Sequence, residues 1–148
     1  MNATHKTTFL HIDDDKDEIL FVARAFRQAP AQVKVEHVTD GREAVRYLEG
    51  KGKYEDRRKY PLPNVILLDL KMPDFDGFDF LQWLRSQAGS DLHLIPVIVV
   101  AASVDPADVR RAYALGASSY IHKPLDWPLF TERMKLLGIY WSEHAETP

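Results

Sequence analysis

The sequence predicts an α/β fold: a parallel, doubly wound sheet of five strands with five helices. Three observations predict it. Short apolar runs alternate with longer stretches of helical spacing, five times over. One run, Val65-Ile66-Leu67-Leu68, is continuously apolar rather than alternating, which is the pattern of a strand buried on both faces. Charged residues directly follow three of the runs: Asp13-Asp14-Asp15, Asp69 and Lys123. In a parallel sheet all strand ends of one sense share one edge, where ligands bind, so these groups meet at a single point.

Taken in order, strands are expected near Thr7–Ile12, Val33–Val38, Val65–Asp69, Pro96–Val100 and Ser118–Ile121. The helix after the acidic triplet presents Ile19, Val22, Ala23 and Phe26 on one face. The second opens with Asp40-Gly41-Arg42-Glu43, a capping-box pattern, and presents Ala44, Val45 and Leu48. The third starts at Asp76 and shows Phe80, Leu81 and Leu84. The fourth enters through Asp105-Pro106, a cap followed by proline at the first helical position, and stops at Gly116. The fifth begins at Asp126-Trp127-Pro128 and runs toward Trp141, with Gly138 a candidate stop. Strict alternation of strand and helix implies right-handed crossovers. One connection breaks the rhythm: Lys51 to Pro63 exceeds the ~2–6 residues usual between such elements. It reads as a solvated loop with a helical continuation; its five basic residues offer the rival reading of an anionic docking patch.

Composition narrows the function. The 148 residues are 45% hydrophobic and 28% charged, which indicates neither disorder nor a membrane class. No apolar stretch approaches the ~20 residues of a membrane span, and Met1 to Thr8 lacks the apolar segment of a secretory signal. A net charge of −3 gives no general electrostatic reason to bind nucleic acid. The absence of cysteine removes disulfides and thiolate metal sites and fits a cytoplasmic protein.

The chemistry sits on the acids and one lysine. A carboxylate at a sheet edge can act as a nucleophile and form an acyl phosphate. Attack on a phosphoryl group requires its negative oxygens to be neutralised. Mg2+ suits that role, being a hard cation held by one or two carboxylates, water and phosphate oxygens. Asp13 and Asp14 can supply the metal pocket, Asp69 the nucleophile and Lys123 a second cationic clamp.

Three segments carry a resemblance: Ile12-Asp13-Asp14-Asp15, Leu67 to Gly77 (Leu-Leu-Asp-Leu-Lys-Met-Pro-Asp-Phe-Asp-Gly), and Tyr120-Ile121-His122-Lys123-Pro124. Together they resemble the receiver domain of two-component response regulators, over roughly Thr7 to Leu137. The insertion and the ending from Ile139 to Pro148 are more similar to single-domain receivers that partner cyanobacterial-type phytochrome kinases. The resemblance implies a flavodoxin-like sheet of order 2-1-3-4-5 and a single receiver domain over 1–148, with core about 7–137, insertion about 50–63 and C-terminal extension 138–148. It implies that Asp69 accepts a phosphoryl group from a phosphohistidine, with no enzymatic activity beyond self-phosphotransfer and self-dephosphorylation. Asp14 would bind Mg2+ directly, Asp13 through water, and the Lys71 carbonyl would be a further ligand beside Asp69. Lys123 would pair with Asp69 and then with the phosphoryl oxygens, Tyr120 would be the aromatic switch, and the bond before Pro124 would be cis. Asp15 would carry no metal role, only helix-start charge. The implied partner is a sensor histidine kinase, of phytochrome type on the narrower likeness, or a phosphotransfer protein, with no nucleic acid and no membrane.

One position departs from the pattern. Ala101 stands where family members carry threonine or serine, whose hydroxyl donates to the phosphoryl group. A hydrogen bond to a charged group contributes about 1.5–3 kcal/mol, comparable to a whole allosteric coupling energy. Ala101 therefore keeps open the alternative of a degenerate receiver, a binding module independent of phosphorylation. Ser103 would face the same side two residues on. A phosphatase of the haloacid dehalogenase type needs Asp-x-Asp-x-Thr, and Lys71 stands at its second aspartate; a flavodoxin-type cofactor binder needs a glycine- and hydroxyl-rich loop where Asp13-Asp14-Asp15 stands. In the last helix Phe130, Met134, Leu137 and Trp141 form one apolar face, and Leu129, Leu136 and Tyr140 a second stripe interrupted by Arg133. The spare stripe suggests a two-fold homodimer through the fourth and fifth units.

Overall fold

The computed structural model describes residues 7–29 and 32–148. Its elements alternate as β1 (Thr7–Ile12), α1 (Lys16–Gln28), β2 (Val33–Val38), α2 (Gly41–Glu49), β3 (Val65–Leu68), α3 (Gly77–Ser86), β4 (Val97–Ala101), α4 (Pro106–Ala114), β5 (Ser119–His122) and α5 (Trp127–Ile139). The five strands form one parallel sheet in the order β2-β1-β3-β4-β5. The expected fold class and strand order are both observed, and strand limits differ from expectation by a residue at most. Pro96, which has no N–H for the ladder, lies just outside β4, yet its carbonyl accepts from Ile66 N–H at 2.9 Å.

Alternation along the strands divides the core. Leu10, Ile12, Ile66, Leu68, Val97 and Val99 pack toward α2, α3 and α4, while Phe9, Val65, Leu67, Ile98 and Val100 pack toward α1 and α5. All four residues of β3 are fully buried, as its unbroken apolar run requires. The α1 face is rotated slightly from expectation, with Ala25 rather than Ala23 buried beside Val22 and Phe26.

Each of the five α-helices begins at an aspartate N-cap: Asp15, Asp40, Asp76, Asp105 and Asp126. Each side chain accepts from a backbone N–H of the first turn, satisfying donors that the helix itself leaves free. The reciprocal capping box forms at Asp76–Asp79 and not at Asp40–Glu43. Asp40 does accept Glu43 N–H at 2.7 Å, but the Glu43 carboxylate is drawn away by the Tyr54 hydroxyl, which donates to it at 2.9 Å. Gly116 ends α4 in a left-handed conformation, φ +106°, and a Cβ there would stand 2.5 Å from Arg85 Cγ. Gly138 does not end α5. It is buried against Phe26 and Val33, and the chain passes on through a π-type turn over Tyr140–His144.

The long connection after α2 is built rather than loose. Tyr54 is buried and packs with Tyr47 and Tyr60, ring centroids 4.8–6.0 Å apart. Arg57 turns inward and donates to the carbonyls of Tyr47, Leu48 and Tyr60 at 2.8–3.3 Å, closing the C-terminal end of α2. One of the five basic residues is therefore structural. Among the described residues no helix is long and apolar enough to cross a membrane.

Arg57→Ala is expected to destabilise the fold by about 2 kcal/mol, from lost charge-assisted hydrogen bonds at a partly exposed site. Exposed Arg58→Ala should stay within about 0.5 kcal/mol of the parent. Urea unfolding of the three proteins measures both.

Candidate functional site

The C-terminal ends of β1 and β3 place three carboxylates side by side. Asp13 N–H continues the β1 ladder to Val38 O at 3.1 Å, and Asp69 N–H continues the β3 ladder to Ile12 O at 3.0 Å. Both side chains are thereby fixed by sheet backbone. Asp13 is 1% exposed and Asp69 9%, whereas Asp14 is exposed. One carboxylate oxygen from each of Asp13, Asp14 and Asp69 lies within 4.8 Å of the others. Asp15, the last of the triplet, instead caps α1.

The turn after Asp69 is held tight by glycine. A Cβ on Gly77 would lie 2.4 Å from Asp69 O and 2.7 Å from Leu70 Cα, so only glycine lets α3 start against the strand end. Between them Asp74 takes a left-handed backbone, φ +64°. From the far side Lys123 N–H donates to Ala101 O at 2.8 Å, which ties the end of β5 to β4 and aims the side chain back at the acids. Lys123 Nζ lies 3.2 Å from Asp69 Oδ1 and 3.5 Å from Asp13 Oδ2, and it also contacts Glu18 Oε2.

Charge is unbalanced here: Asp13, Asp14, Asp69 and Glu18 surround one ammonium. Burial pushes the Asp13 and Asp69 carboxyls above the usual range; at Asp13 a hydrogen bond with Glu18 and the Lys123 charge oppose it, and at Asp69 Lys123 opposes it while Glu18 and Asp14 reinforce it. Glu18 is pushed up to about 7, by burial first and then by its hydrogen bond with Asp13. For Lys123, burial alone would favour the neutral amine, but Asp69, Asp13 and Glu18 outweigh it and hold the ammonium charged. His11 Nε2 stands 3.5 Å from Asp13 Oδ2, yet burial and Lys123 lower the imidazole to about 3, so it adds no positive charge. Its neighbour His37, 5.5 Å away between ring centroids, is lowered to about 4 by burial and by His11.

A cavity of about 700 Å3 opens over these groups, bordered by Asp14, Glu18, Asp69, Lys71, Met72, Phe78, Ala101, Ser103, Asp108, Arg111 and Lys123. Oxygen donors alone, an excess of negative charge and an open mouth fit a hard divalent cation such as Mg2+. The expected acids and Lys123 are thus brought together, and Lys71 lies on the rim with its side chain exposed. Ala101 is buried and presents only a methyl group. Ser103 does not stand in for the missing hydroxyl, because its Oγ binds Asp108 Oδ2 at 2.5 Å and accepts Asp105 N–H at 3.2 Å. Tyr120 is half-buried against the α2–α4 side of the core, and its hydroxyl donates to Ser103 O at 3.0 Å.

One expectation is corrected. No peptide bond among the described residues is cis, so Lys123–Pro124 is trans. Trans is the intrinsic preference of an X–Pro bond by about 0.5–1 kcal/mol, and Leu125, fully exposed, gives the loop no packing that would select the other isomer. Two site residues escaped sequence reading. Glu18 sits in an acidic first helical turn, where carboxylates ordinarily answer the helix dipole; its place one turn after the N-cap was the available signal. Arg111 lies in the last turn of α4, where a basic residue ordinarily answers the helix dipole, and nothing in its spacing marks it.

Comparison with known proteins agrees with this geometry. The model of the response regulator receiver domain family matches residues 9–135. The chain is 31% identical over 142 residues to the probable methanogenesis regulatory protein FilR2 of Methanothrix harundinacea, covering 94% of this chain and 86% of that one. It is 28% identical over 139 residues to response regulator Rcp1 of Synechocystis, covering 94% and 91%. Among solved structures, the phosphorylated cyanobacterial phytochrome response regulator RcpA superposes with a TM-score of 0.88 at 28% identity, covering 97% and 99% of the two chains. The Mn(2+)-bound form of Rcp1 superposes with a TM-score of 0.85 at 27% identity, covering 96% and 99%. With the family model matching residues 9–135 and a relative 31% identical along most of both chains, the chain belongs to the response regulator receiver domains.

Proposed function

We propose that this receiver domain is a phosphoacceptor in a two-component phosphorelay, taking a phosphoryl group from the phosphohistidine of a sensor kinase onto Asp69. The observation that carries the reading is the placement of Asp69: at the floor of an open cavity, between two further acids and a charged lysine. In the transfer an Asp69 oxygen attacks phosphorus, a P–O bond forms, and the P–N bond to imidazole breaks. The electron pair leaves with the imidazole nitrogen, which takes up a proton. Burial makes the Asp69 carboxylate more basic, hence more nucleophilic, while Lys123 keeps it ionised.

Asp13, Asp14, Asp69 and the Lys71 carbonyl would hold Mg2+, which when bound neutralises phosphoryl oxygens. Lys123 then exchanges its Asp69 contact for the incoming phosphoryl group. Like other receivers, the domain acts as a signalling module, with self-dephosphorylation its only further chemistry. It does so in the cytoplasm, opposite a histidine kinase of the phytochrome class or a phosphotransfer protein. The core about 7–137, the insertion about 50–63 and the extension 138–148 form one receiver unit. Signalling proceeds through altered association. On α5, Phe130 and Met134 face the core while Leu136 and Tyr140 are 57% and 53% exposed, and Tyr113 of α4 is exposed as well, which supports a two-fold homodimer through α4, β5 and α5. Ala101 and Tyr120 form a switch altered by the missing hydroxyl. The second reading, a binding module independent of phosphorylation, rests on Ala101 alone.

Three outcomes are expected. Acetyl phosphate with Mg2+ should add one phosphoryl group to the parent and none to Asp69→Asn, read by intact mass; an unmodified parent would favour the second reading. Asp14→Asn should raise the melting temperature of the metal-free protein by about 3 °C. That corresponds to removing about 1 kcal/mol of like-charge repulsion, and the Mg2+-induced rise in melting temperature should shrink with it. In sedimentation at high micromolar concentration the parent should be dimeric and Tyr140→Glu monomeric; a parent monomeric with and without phosphate would end the dimer proposal.

A further inference from the structure

The cavity over Asp69 has two walls of different character. On one side Lys123 is already engaged by Asp69, Asp13 and Glu18. The opposite wall, formed by the end of β4 and by α4, must provide donors if a phosphoryl group on Asp69 is to be held from both sides. Its side-chain candidates are quickly exhausted. Ala101 has only a methyl group, the Ser103 hydroxyl is bound to Asp108, and the Tyr120 hydroxyl is bound to Ser103 O.

Arg111 differs from all of these. It borders the same cavity, and among the described residues it has no carboxylate within 4.0 Å and no hydrogen-bond acceptor. Asp108, three residues earlier on α4, is taken by Ser103 rather than by Arg111. What holds the guanidinium is the ring of Phe78, with Cζ 4.1 Å from the ring centroid, and Phe78 is itself buried. A π-face restrains the plane of a guanidinium while leaving the donors on its edge free. Those donors form a planar fork suited to two phosphoryl oxygens. A cation oriented by a fixed ring, unpaired, and bordering an anion site is poised for an anion.

We propose that Arg111 is a phosphoryl-binding residue: it bonds the oxygens of the phosphoryl group on Asp69 from the α4 side and thereby links phosphorylation to α4. This rests on Asp69 being the phosphoacceptor. The contact explains how the site functions with a methyl group at Ala101, since the donor is delivered from the helix rather than from the strand. It also gives α4 a direct electrostatic reason to respond to phosphate.

Beryllofluoride, which mimics a phosphoryl group on aspartate, tests the inference when titrated with Mg2+ into the parent, Arg111→Ala and Arg110→Ala, with bound fluoride followed by fluorine NMR. Arg111→Ala should bind at least tenfold more weakly, while Arg110→Ala, the adjacent exposed cation, should bind as the parent does. Mg2+ affinity without beryllofluoride should agree within about twofold in all three. Equal beryllofluoride affinity in parent and Arg111→Ala overturns the inference and leaves Asp69 as acceptor. So does an Arg110→Ala loss as large as that of Arg111→Ala, or a comparable loss of Mg2+ affinity, either of which would mean a general field effect. A parent that binds no beryllofluoride overturns the acceptor reading and this inference with it.

Discussion

The contact of Lys123 with Asp69, Asp13 and Glu18 is the constraint on which the site depends. It spans the sheet from β5 to β1, and it brings a single positive charge to carboxylates that burial has already made costly to ionise. Lys123 is placed by backbone, through its N–H on Ala101 O, and Asp13 and Asp69 are placed by the β1 and β3 ladders. The groups therefore cannot relax apart without breaking sheet hydrogen bonds. The fold holds together an arrangement that its own electrostatics oppose, and a cation relieves it.

Rigid and adjustable parts are cleanly separated around that arrangement. The floor is β3, fully buried, and β1, buried from Thr8 to Ile12, with Gly77 allowing no slack behind Asp69. The rim is the opposite: Lys71, Arg111 and Asp14 are exposed, and the loop beyond Lys123 projects Leu125 wholly into solvent. The proposed transfer to Asp69 would thus change what the rim contacts while leaving the strands where they are. The Tyr120–Ser103 and Ser103–Asp108 hydrogen bonds lie on this adjustable side and couple β5, the loop after β4 and α4.

Much of this was legible in the residues. An unbroken apolar strand ending in Asp69, and charges directly following other strands, suffice to bring Asp13, Asp14, Asp69 and Lys123 together, because parallel strands share one edge. What escaped notice depends on side-chain direction at longer range. Glu18 looks like an ordinary first-turn acid until the fold turns it toward Lys123. Glu43 completes the local capping pattern, but Tyr54, eleven residues on, takes its carboxylate. Tyr47, Tyr54 and Tyr60 lie in two different segments and meet only through the turn that Arg57 closes. The trans bond before Pro124 was likewise beyond the motif, since isomer choice is set by the packing of the surrounding loop. Local spacing encodes which edge a residue reaches; partner choice at that edge is a tertiary matter.

The five aspartate caps have a meaning beyond their helices. Because every strand runs the same way and each helix follows its strand, all five caps lie along the same edge as Asp69. Each full negative charge meets roughly half a positive charge from its helix terminus, so about half a unit remains at each cap. The edge thus wears an acidic collar around an acidic centre. Its summed potential enriches divalent cations near the cavity before any one of them is bound, and it steers basic surfaces inward while slowing small free anions. Such a field decays within about 8 Å at physiological salt, so it selects among molecules already close to the domain and leaves those in bulk solution unaffected.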